Sequence, residues 1–323
     1  MNPVALALTL AFLFCGWGAA LAAITPEPRI PRLLAWSGSL AALATLYAAV
    51  AVLCDAQFHG ELWTIRAIGS LSVSLDQLSA IFLLAAALVV LASSIFSASY
   101  LQRYVGHYRL SVFAAWYLVL FASIVWILIA NDVMGFLIAW EAMSTASYLL
   151  VNFEHRREGT SQAGYLMLAM GEAGFMAVEV VLLFLAVKAG SLEFPALRTT
   201  ALAFGPVTRW MIFLLSFFGF GVKAGLAPVN TWLPRAHPAA PANVSAILSG
   251  TILNLGLYGI IRVNLDLVHV GTVAMGLVVL SVGTISALVG ILYATTDSDL
   301  KAMLAHSSIE NIGIVAMGLG VGI

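Results

Sequence analysis

The chain has 323 residues, of which 62% are hydrophobic and only 9% are charged. Soluble domains carry about 25% charged residues, so this composition predicts an integral membrane protein rather than a soluble domain. The formal net charge of −1 leaves no polybasic surface, which argues against binding to nucleic acid.

Ten apolar segments come close to the length of about 20 residues that a bilayer requires, and they predict an all-α, polytopic membrane protein. The first segment lacks a charged leading region, so it predicts a spanning helix and not a signal peptide. The chain ends inside the tenth segment without a polar cap, which predicts a fragment of a longer protein. The predicted spans one to ten are residues 3–23, 33–54, 78–100, 111–130, 132–152, 164–188, 208–238, 241–263, 270–294 and 299–323.

Two of the links between predicted spans have sequence patterns that predict structure outside the membrane. Residues 62–77 alternate apolar and polar side chains around Gly69 and Ser70, which predicts a β-hairpin between spans two and three. Because open strands cannot face lipid, we expect this hairpin on the aqueous surface. Residues 190–206 predict a short surface segment between spans six and seven.

The basic residues predict the orientation of the chain. With Lys223 placed inside the membrane, eight of the other lysines and arginines fall on one side of the spans and five on the other. The side with eight is expected to be cytoplasmic. This orientation places the N-terminus outside, on the periplasmic side of a bacterial or archaeal cell membrane.

The sequence predicts no bound cofactor and no metal site. Cys15 and Cys54 both lie in apolar runs, without a partner at metal or redox spacing. The six histidines form no HxxxH or HExxH motif, and no glycine-rich nucleotide-binding motif follows a strand pattern.

Two charged residues fall near the middle of predicted spans. Glu141 lies nine residues after Asp132, about 13 Å along span five, and Lys223 lies near mid-depth of span seven. A charge at the centre of a spanning helix costs about 2.5–3.5 kcal/mol on insertion scales, so such residues mark ion pathways by default. We therefore predict that Glu141 and Lys223 form a pair that gains and loses a proton. The alternative is a static ion pair that holds two spans together.

Span seven is too long for a simple crossing and is interrupted after Lys223. Pro228 removes a backbone donor and clashes with the preceding turn, and Pro234 follows it. Non-helical backbone at membrane depth is tolerated only where it is buried in protein or lines a watery cavity. We predict a discontinuous helix whose opened backbone holds water around Lys223, so that this lysine passes protons.

Further ionisable residues lie in spans six and ten. Glu172 and Glu179 are seven residues apart and share one face of span six, where they are expected to line a wet path or to contact another subunit. His306 and Glu310 are neighbours at i and i+4 in span ten, and histidine titrates near neutral pH, so they predict a relay. Lys301 is interpreted as an interfacial residue.

Hydroxyl side chains accompany these charges. They either hold water chains or, as is more common, bond back to helix carbonyls and cross-link helices. The hydroxyl residues in question are Ser144, Thr145, Ser147, Ser245, Ser249, Thr251, Ser307 and Ser308.

From about Asp76 to Ile323 the chain resembles the antiporter-like membrane subunits shared by respiratory complex I, Mrp-type cation/proton antiporters and membrane-bound hydrogenases. The span-seven motif of that family is matched by GFGVKAGLAPVNTWLPRAHPAAPANVSAILSG. The span-five motif is matched by IAWEAMSTASYLLV, whose glutamate is Glu141, and the span-ten motif by DSDLKAMLAHSSIENIGIV. The SSIENIG form is most similar to the hydrogenase-4 and formate hydrogenlyase branch of the family.

The resemblance implies inverted five-helix repeats, each with a broken helix, and a line of buried charges across the membrane plane. It implies three N-terminal helices with the hairpin at residues 1–110, a first repeat at 111–263 and the start of a second repeat at 264–323. It also implies a subunit without a redox centre of its own, driven by other membrane subunits and a soluble hydrogenase-like or formate-dehydrogenase-like arm. The transported ion would be the proton or sodium, across a lipid bilayer.

Two positions depart from the family pattern. The family commonly has a histidine where this chain has Asn230, and a lysine in the middle of span eight where this chain has Asn254. Asparagine can hold water but does not carry a proton at ordinary pH. Either another group, such as Glu310, His306 or ordered water, bridges the gap, or the subunit transports poorly.

The sequence is therefore consistent with three alternative functions. The first is a proton-translocating subunit of a hydrogenase-like, formate hydrogenlyase-like or NADH:quinone oxidoreductase-like complex. The second is a subunit of an Mrp-type cation/proton antiporter. The third is a membrane anchor for a hydrogenase that moves no ions, which Asn230 and Asn254 favour and the Glu141–Lys223 pair disfavours.

Overall fold

The computed structural model of the chain describes residues 2–65, 69–269 and 271–323. Within these residues, ten helices are long and apolar enough to cross a membrane, which confirms the predicted polytopic all-α architecture. They are α1 (Pro3–Ile24), α2 (Ile30–Leu53), α3 (Gln77–Tyr100), α4 (Leu110–Ile129), α5 (Val133–Val151), α6 (Thr160–Ala189), α8 (Pro206–Ala224), α10 (Ala242–Leu267), α11 (Val273–Thr296) and α12 (Leu300–Gly322). Two short helices, α7 (Phe194–Ala201) and α9 (Leu233–Ala239), stand on either side of α8 in the chain.

The starts of several spanning helices follow from short polar side chains in the sequence. An oxygen of the residue before the helix accepts an N–H of the first turn, which satisfies a donor that has no partner inside the helix. Such N-caps are Asn2 before α1, Asp76 before α3, Asp132 before α5, Thr272 before α11 and Asp299 before α12. Polar residues at the ends of the apolar segments thus fix where the helices begin.

The predicted hairpin exists but begins earlier than expected. Strands β1 (Phe58–Ile65) and β2 (Gly69–Leu75) pair in antiparallel register, with Phe58 opposite Leu75 and Ile65 opposite Gly69. The expected turn at Gly69 and Ser70 is wrong, because both residues belong to β2. The residues that join the strands, 66–68, lie outside the described part of the chain.

The hairpin is attached to the connection between α4 and α5. The Ser72 N–H donates to Asp132 Oδ2 at 3.1 Å, and Val73 forms an antiparallel bridge with Ala130. The other oxygen of Asp132 accepts the Gly135 N–H at 2.7 Å. One carboxylate that is 2% exposed therefore caps a spanning helix and holds a strand.

The chain folds into two compact units, residues 1–160 with 240–251 and residues 161–239 with 252–323. In the first unit, α1 packs against α2 and α4, α3 packs against α2, and the start of α10 packs against α3. The core of this unit contains large aromatic side chains with less than 2% exposure, among them Tyr117, Phe121 and Phe136. The division into repeats at residues 111–263 and 264–323 remains a prediction.

In the second unit, α11 and α12 pack at backbone distance along a stripe of small residues. A Cβ on Gly283 of α11 would lie 2.8 Å from the Gly313 carbonyl oxygen of α12, and a Cβ on Gly276 would lie 2.6 Å from the Gly320 carbonyl oxygen. Small residues let membrane helices approach closely, where van der Waals packing is the main attraction. The expected surface segment between spans six and seven contains α7, whose Phe194 and Leu197 are buried.

Candidate functional site

The helix that carries Lys223 ends one residue after it. Helix α8 stops at Ala224, and Gly225 adopts the left-handed backbone conformation with φ of 73°. The Gly225 N–H donates to the Val222 carbonyl at 3.2 Å, and the Leu226 N–H donates to the Gly221 carbonyl at 3.0 Å. These two bonds form a Schellman motif, the common glycine-ended helix terminus. The predicted discontinuity of span seven is therefore present, and Gly225 is the left-handed residue at the helix end.

Pro228 and Pro234, the residues predicted to break the helix, both lie beyond the end of α8, and their part in the break remains a prediction. Pro228 lies three residues beyond Gly225, in the irregular link before α9, and it is exposed. Pro234 is the second residue of α9, where a helix has no internal partner for a backbone N–H. Pro228 stands four residues after Ala224, where a proline is incompatible with continuation of the helix.

Lys223 is buried, with 6% exposure, in the last turn of α8. The carbonyl end of a helix carries a partial negative charge, which stabilises a cation in the last turn. The structure thus offers the ammonium group a favourable potential at a place where burial alone would disfavour its charge. The Trp232 indole N–H donates to the Val222 carbonyl at 2.9 Å and ties the following link to this helix end.

The link between α8 and α9 is held by neighbouring helices of its own unit. The Ala227 N–H donates to Ser286 Oγ of α11 at 2.8 Å. The Thr231 hydroxyl lies 3.2 Å from Met170 Sδ of α6. Asn230, the first departure from the family pattern, is half-buried in this link, and its carbonyl accepts the N–H that begins α9 at 3.1 Å.

Helix α10 approaches the end of α8 closely enough to require glycine. A Cβ on Gly256 would lie 2.5 Å from the Ala224 backbone nitrogen and 2.7 Å from the Phe220 carbonyl oxygen. Asn254, the second departure, lies two residues before this contact and is half-buried. The position at which the family commonly has a lysine is therefore on the stretch of α10 that packs on the Lys223 helix.

Helix α10 is not a regular α-helix. It contains π-helical segments at Leu248–Ile252 and Ile261–Leu267. Asn264, in the second segment, is fully buried and accepts the Ser216 hydroxyl at 3.0 Å. Single π turns inside α-helices frequently occur at functional sites. The composition of span eight did not predict these π-helical segments.

Glu141 lies in α5, nine residues after the N-cap Asp132, and is half-buried. Its place near the middle of the helix agrees with the predicted depth. Glu141 belongs to the first unit and Lys223 to the second, and their pairing remains a prediction.

Glu172 and Glu179 lie two turns apart on α6, as predicted, and both are half-buried. Within the described part of the chain, neither carboxylate accepts a hydrogen bond or forms an ion pair. Gly174, between them, packs against Gly219 of α8, since a Cβ on Gly174 would lie 2.8 Å from the Gly219 carbonyl oxygen. The segment that bears both glutamates is thus in direct contact with the helix of Lys223.

His306 has a partner different from the predicted one. Its Nε2 lies 3.6 Å from Asp297 Oδ2, and its ring stacks on Tyr293 with centroids 5.3 Å apart. Glu310 is half-buried, and a Cβ on Gly290 of α11 would lie 2.5 Å from its backbone nitrogen. The structure thus adds a His306–Asp297 contact at one end of the α11–α12 pair, and the His306–Glu310 relay remains a prediction.

One partly buried ionic cluster was not predicted from the sequence. Asp266 accepts Arg198 Nε at 2.9 Å and Nη2 at 2.7 Å, and it also accepts Arg262 Nη1 at 2.8 Å. Arg262 is 5% exposed, and its Nε–H donates to the Tyr258 hydroxyl at 3.1 Å. The i, i+4 spacing of Arg262 and Asp266 was visible, but span eight was predicted to end at residue 263, and the helix continues to Leu267.

Two of the eight hydroxyl side chains follow the structural alternative. Ser147 donates to the Ser144 carbonyl at 2.8 Å, and Ser308 donates to a carbonyl one turn earlier at 2.8 Å. A buried network that was not predicted joins Tyr117 of α4 to Ser93 of α3 at 3.0 Å, and Ser93 to the Asn243 carbonyl of α10 at 2.8 Å. These bonds cross-link helices of the first unit.

The cysteines do not form a metal-binding group. Cys15 is buried, Cys54 is exposed and both are free thiols. Across residues 2–65, 69–269 and 271–323, no three histidine, cysteine, aspartate or glutamate side chains converge as ligands for a metal ion.

The part of the chain that contains the interrupted helix matches a known protein family. Residues 130–323 match the profile of the family described as NADH:quinone oxidoreductase/Mrp antiporter, TM. The matched region contains Glu141, Lys223 and Glu310.

Curated relatives are longer than this chain. Hydrogenase-4 component B of Escherichia coli is 37% identical over 254 residues, which cover 78% of this chain and 37% of that protein. Formate hydrogenlyase subunit 3 of the same organism is 32% identical over 206 residues, which cover 63% of this chain and 32% of that protein. NAD(P)H-quinone oxidoreductase chain 4-3 of Nostoc sp. is 29% identical over 232 residues, covering 72% of this chain and 41% of that protein. The chain thus spans about two-fifths or less of the length of these relatives.

Two solved structures share the fold at low sequence identity. A chain of the archaeal membrane-bound sulfane sulfur reductase aligns with a TM-score of 0.81 and 24% identity, over 97% of this chain and 51% of that chain. A chain of the Mrp complex from a Dietzia species aligns with a TM-score of 0.82 and 24% identity, over 99% of this chain and 34% of that chain. Both similarities establish the antiporter-like fold.

Proposed function

Because the chain belongs to the NADH:quinone oxidoreductase/Mrp antiporter transmembrane family, we propose that it is a proton-translocating membrane subunit of a multi-subunit oxidoreductase. Hydrogenase-like and formate hydrogenlyase-like complexes are the first candidates, and NADH:quinone oxidoreductase-like complexes are the next. The observation that carries the proposal is Lys223, which is 6% exposed at the terminus of an interrupted helix within the family-matched region. Lysine can lose its proton when buried, whereas arginine does not.

The proposed mechanism uses the two opposing influences on the Lys223 ammonium group. Burial disfavours its charge, while the carbonyl end of α8 and the Glu141 carboxylate favour it. A redox-driven change in a partner subunit that shifts the Glu141–Lys223 pairing would alter this balance, and Lys223 would then release or collect a proton. Glu172 and Glu179 assist from α6, and Glu310 and His306 form the onward route.

The proposal includes the cellular setting. The chain lies in the cell membrane of a bacterium or archaeon, with its N-terminus outside and the side that carries eight lysines and arginines in the cytoplasm. Its partners are other membrane subunits and a soluble redox arm, and this chain holds no redox cofactor. The ion carried is the proton, with sodium as the alternative that an Mrp-type antiporter would imply.

A second candidate is a membrane anchor that moves no ions. The side chains of Asn230 and Asn254 favour it, because neither amide carries a proton where the family commonly has a histidine and a lysine. The anchor offers no reason for a lysine buried at a helix terminus. It is nevertheless a distinct function with a distinct experimental outcome.

The test measures redox-driven acidification of inverted membrane vesicles that carry the complete complex, for the native chain and for Lys223→Ala. We expect the acidification rate to fall at least about tenfold, which corresponds to a change of about 1.4 kcal/mol in a barrier. Electron transfer to an artificial acceptor and complex assembly should persist. Adding sodium should leave the native rate unchanged.

The matched control is Lys188→Ala. Lys188 lies near the C-terminal end of α6, is exposed and contacts the Phe184 ring at 5.7 Å. This variant removes one lysine of the same unit and should pump normally. Normal pumping by Lys223→Ala in an assembled complex would reject the proton-carrier role and favour the anchor. A sodium-dependent rate would favour the antiporter class.

A further inference from the structure

A cavity of about 660 Å³ opens at one end of the helices of the first unit. Its walls come from the start of α2, the link before α4, the first turns of α4, and the end of α5 with the residues that follow it. Spanning helices alternate in direction, so the start of α2, the start of α4 and the end of α5 all lie on one side of the predicted membrane. That side carries the larger number of basic residues.

The rim of the cavity is arranged for an anion. Arg109 and Arg156 line it and are exposed, and Arg156 lies over the Tyr108 ring at 5.6 Å. Within the described part of the chain, neither arginine forms an ion pair. Helix α4 begins at Leu110 without a side-chain cap on its first N–H groups. Two guanidinium groups and an uncapped helix N-terminus together suit a phosphate group.

The same cavity also presents acceptors for a hydrogen-bond donor. Glu27 lines it with a carboxylate, and Asn152 lines it from the turn after α5. The Asn152 amide nitrogen donates to the Tyr148 carbonyl at 3.1 Å, which assigns its Oδ1 as the remaining acceptor. That oxygen is buried and accepts no hydrogen bond from the described residues. Because less than 1 Å² of that oxygen is accessible, the Glu27 carboxylate is the acceptor that an N–H or O–H group of a ligand in the cavity meets.

The inner wall of the cavity is apolar and continues onto the outer surface of two spanning helices. Val112 of α4 is 48% exposed and Leu149 of α5 is 37% exposed, although both lie within membrane-spanning segments. Trp116 lines the wall one turn deeper than Val112. Tryptophan near a helix end is typical of the membrane interface. A free phosphate ion would make no use of this wall, whereas an acyl chain would cover it.

We propose that this cavity is a binding site for a phospholipid whose headgroup donates hydrogen bonds, with phosphatidylethanolamine as the best match. The phosphodiester lies between Arg109 and Arg156, and the ammonium group is received by the Glu27 carboxylate. One acyl chain covers Val112 and Leu149. Phosphatidylglycerol, which donates through hydroxyl groups, binds next best, and phosphatidylcholine, which has no donor, binds least.

The experiment measures lipid retention by native mass spectrometry of the purified full chain after exchange into each of the three phospholipids at equal concentration. We expect several-fold more phosphatidylethanolamine than phosphatidylcholine on the native chain. The double variant Arg109→Gln/Arg156→Gln should lose most of the bound phospholipid. Glu27→Gln should keep binding but lose the preference for phosphatidylethanolamine over phosphatidylcholine.

The matched control is Arg29→Gln/Arg32→Gln, which removes two positive charges from the same predicted side outside the cavity. It should retain phospholipid as the native chain does. Equal retention by the two double variants, or equal binding of all three phospholipids, would overturn the proposal. Displacement of the lipid by millimolar inorganic phosphate would assign the site to free phosphate instead. If the Arg109→Gln/Arg156→Gln complex kept its lipid but lost a partner subunit, the cavity would be a protein interface.

Discussion

Lys223 and Arg262 are both basic residues of the second unit with almost no exposure, 6% and 5%, yet they stand in different surroundings. Arg262 lies inside a helix that continues past it, and Asp266 and Tyr258 receive its guanidinium at 2.8 and 3.1 Å. Lys223 lies where its helix ends, in the potential of terminal carbonyl groups.

In our proposal, this difference separates a charge that stabilises the fold from a charge that gains and loses a proton. Arginine stays protonated at any physiological pH and presents a rigid fork that suits carboxylates. A buried lysine changes its protonation state more readily than arginine does. The carbonyl end of a helix favours the charged form of lysine without requiring a bidentate partner. In this unit Arg262 joins α10 to α7 through Asp266, whereas the lysine that we propose as a proton carrier lies at the end of the interrupted helix.

The largest expected effect comes from breaking the arginine cluster. Asp266→Asn removes the carboxylate between Arg198 and Arg262 and leaves a buried guanidinium without its counter-charge. We expect the free energy of unfolding to fall by about 3 kcal/mol, the lower end for a broken buried pair, because Asp266 keeps some exposure. The free energy of unfolding is measured by titrating the protein with SDS in mixed micelles. The double variant Arg262→Met/Asp266→Leu should recover most of the loss, and failure of Asp266→Asn to destabilise would show that the cluster is not structural.

A smaller effect is expected from the helix terminus beside Lys223. Gly225→Ala places a Cβ at a left-handed position, which costs about 1–2 kcal/mol, and that Cβ would lie 3.3 Å from Leu233. We expect a matching drop in the free energy of unfolding and a lower pumping rate, since the position of Lys223 depends on this turn. Gly171→Ala in α6, where a Cβ meets nothing within 4 Å, is the control and should not destabilise. An unchanged Gly225→Ala protein would mean that the turn tolerates other conformations.

The smallest effect concerns the family departure in α10. Asn254→Lys supplies a titratable group on the helix that packs against the end of α8. If the absence of this group limits proton flow, the acidification rate should rise about twofold to threefold. Such a rise corresponds to lowering the activation barrier by less than about 1 kcal/mol. Asn254→Gln keeps the amide and should leave the rate unchanged. No rise with Asn254→Lys would show that proton flow is limited elsewhere.

Much of the fold could be predicted because membrane helices are defined by local composition. The ten spans follow from the length of apolar segments, and their starts follow from polar caps such as Asp76 and Asp132. The interruption of span seven was also visible from its prolines, but the left-handed glycine at the helix end, Gly225, was not predicted. Glycine at a helix end and proline after it leave similar traces in a sequence, and only the hydrogen bonds separate them.

The contacts that were missed join residues far apart in the chain. Nothing in the local sequence pairs Arg198 with Asp266, or Ser72 with Asp132, because 68 and 60 residues separate the partners. Helix spacing predicted Glu310 as a neighbour of His306, and packing of α11 against α12 adds Asp297, which was not predicted. Helix spacing predicts which residues share a face, and tertiary packing decides which of them meet.

The most direct test of the central claim is the acidification rate of vesicles that carry Lys223→Arg in the complete complex. Arginine keeps the positive charge at the end of α8 but does not release a proton. We predict that acidification falls at least about tenfold while assembly and electron transfer persist, as for Lys223→Ala. Normal acidification by Lys223→Arg would contradict the account, because it would show that the site needs a charge and not a proton carrier.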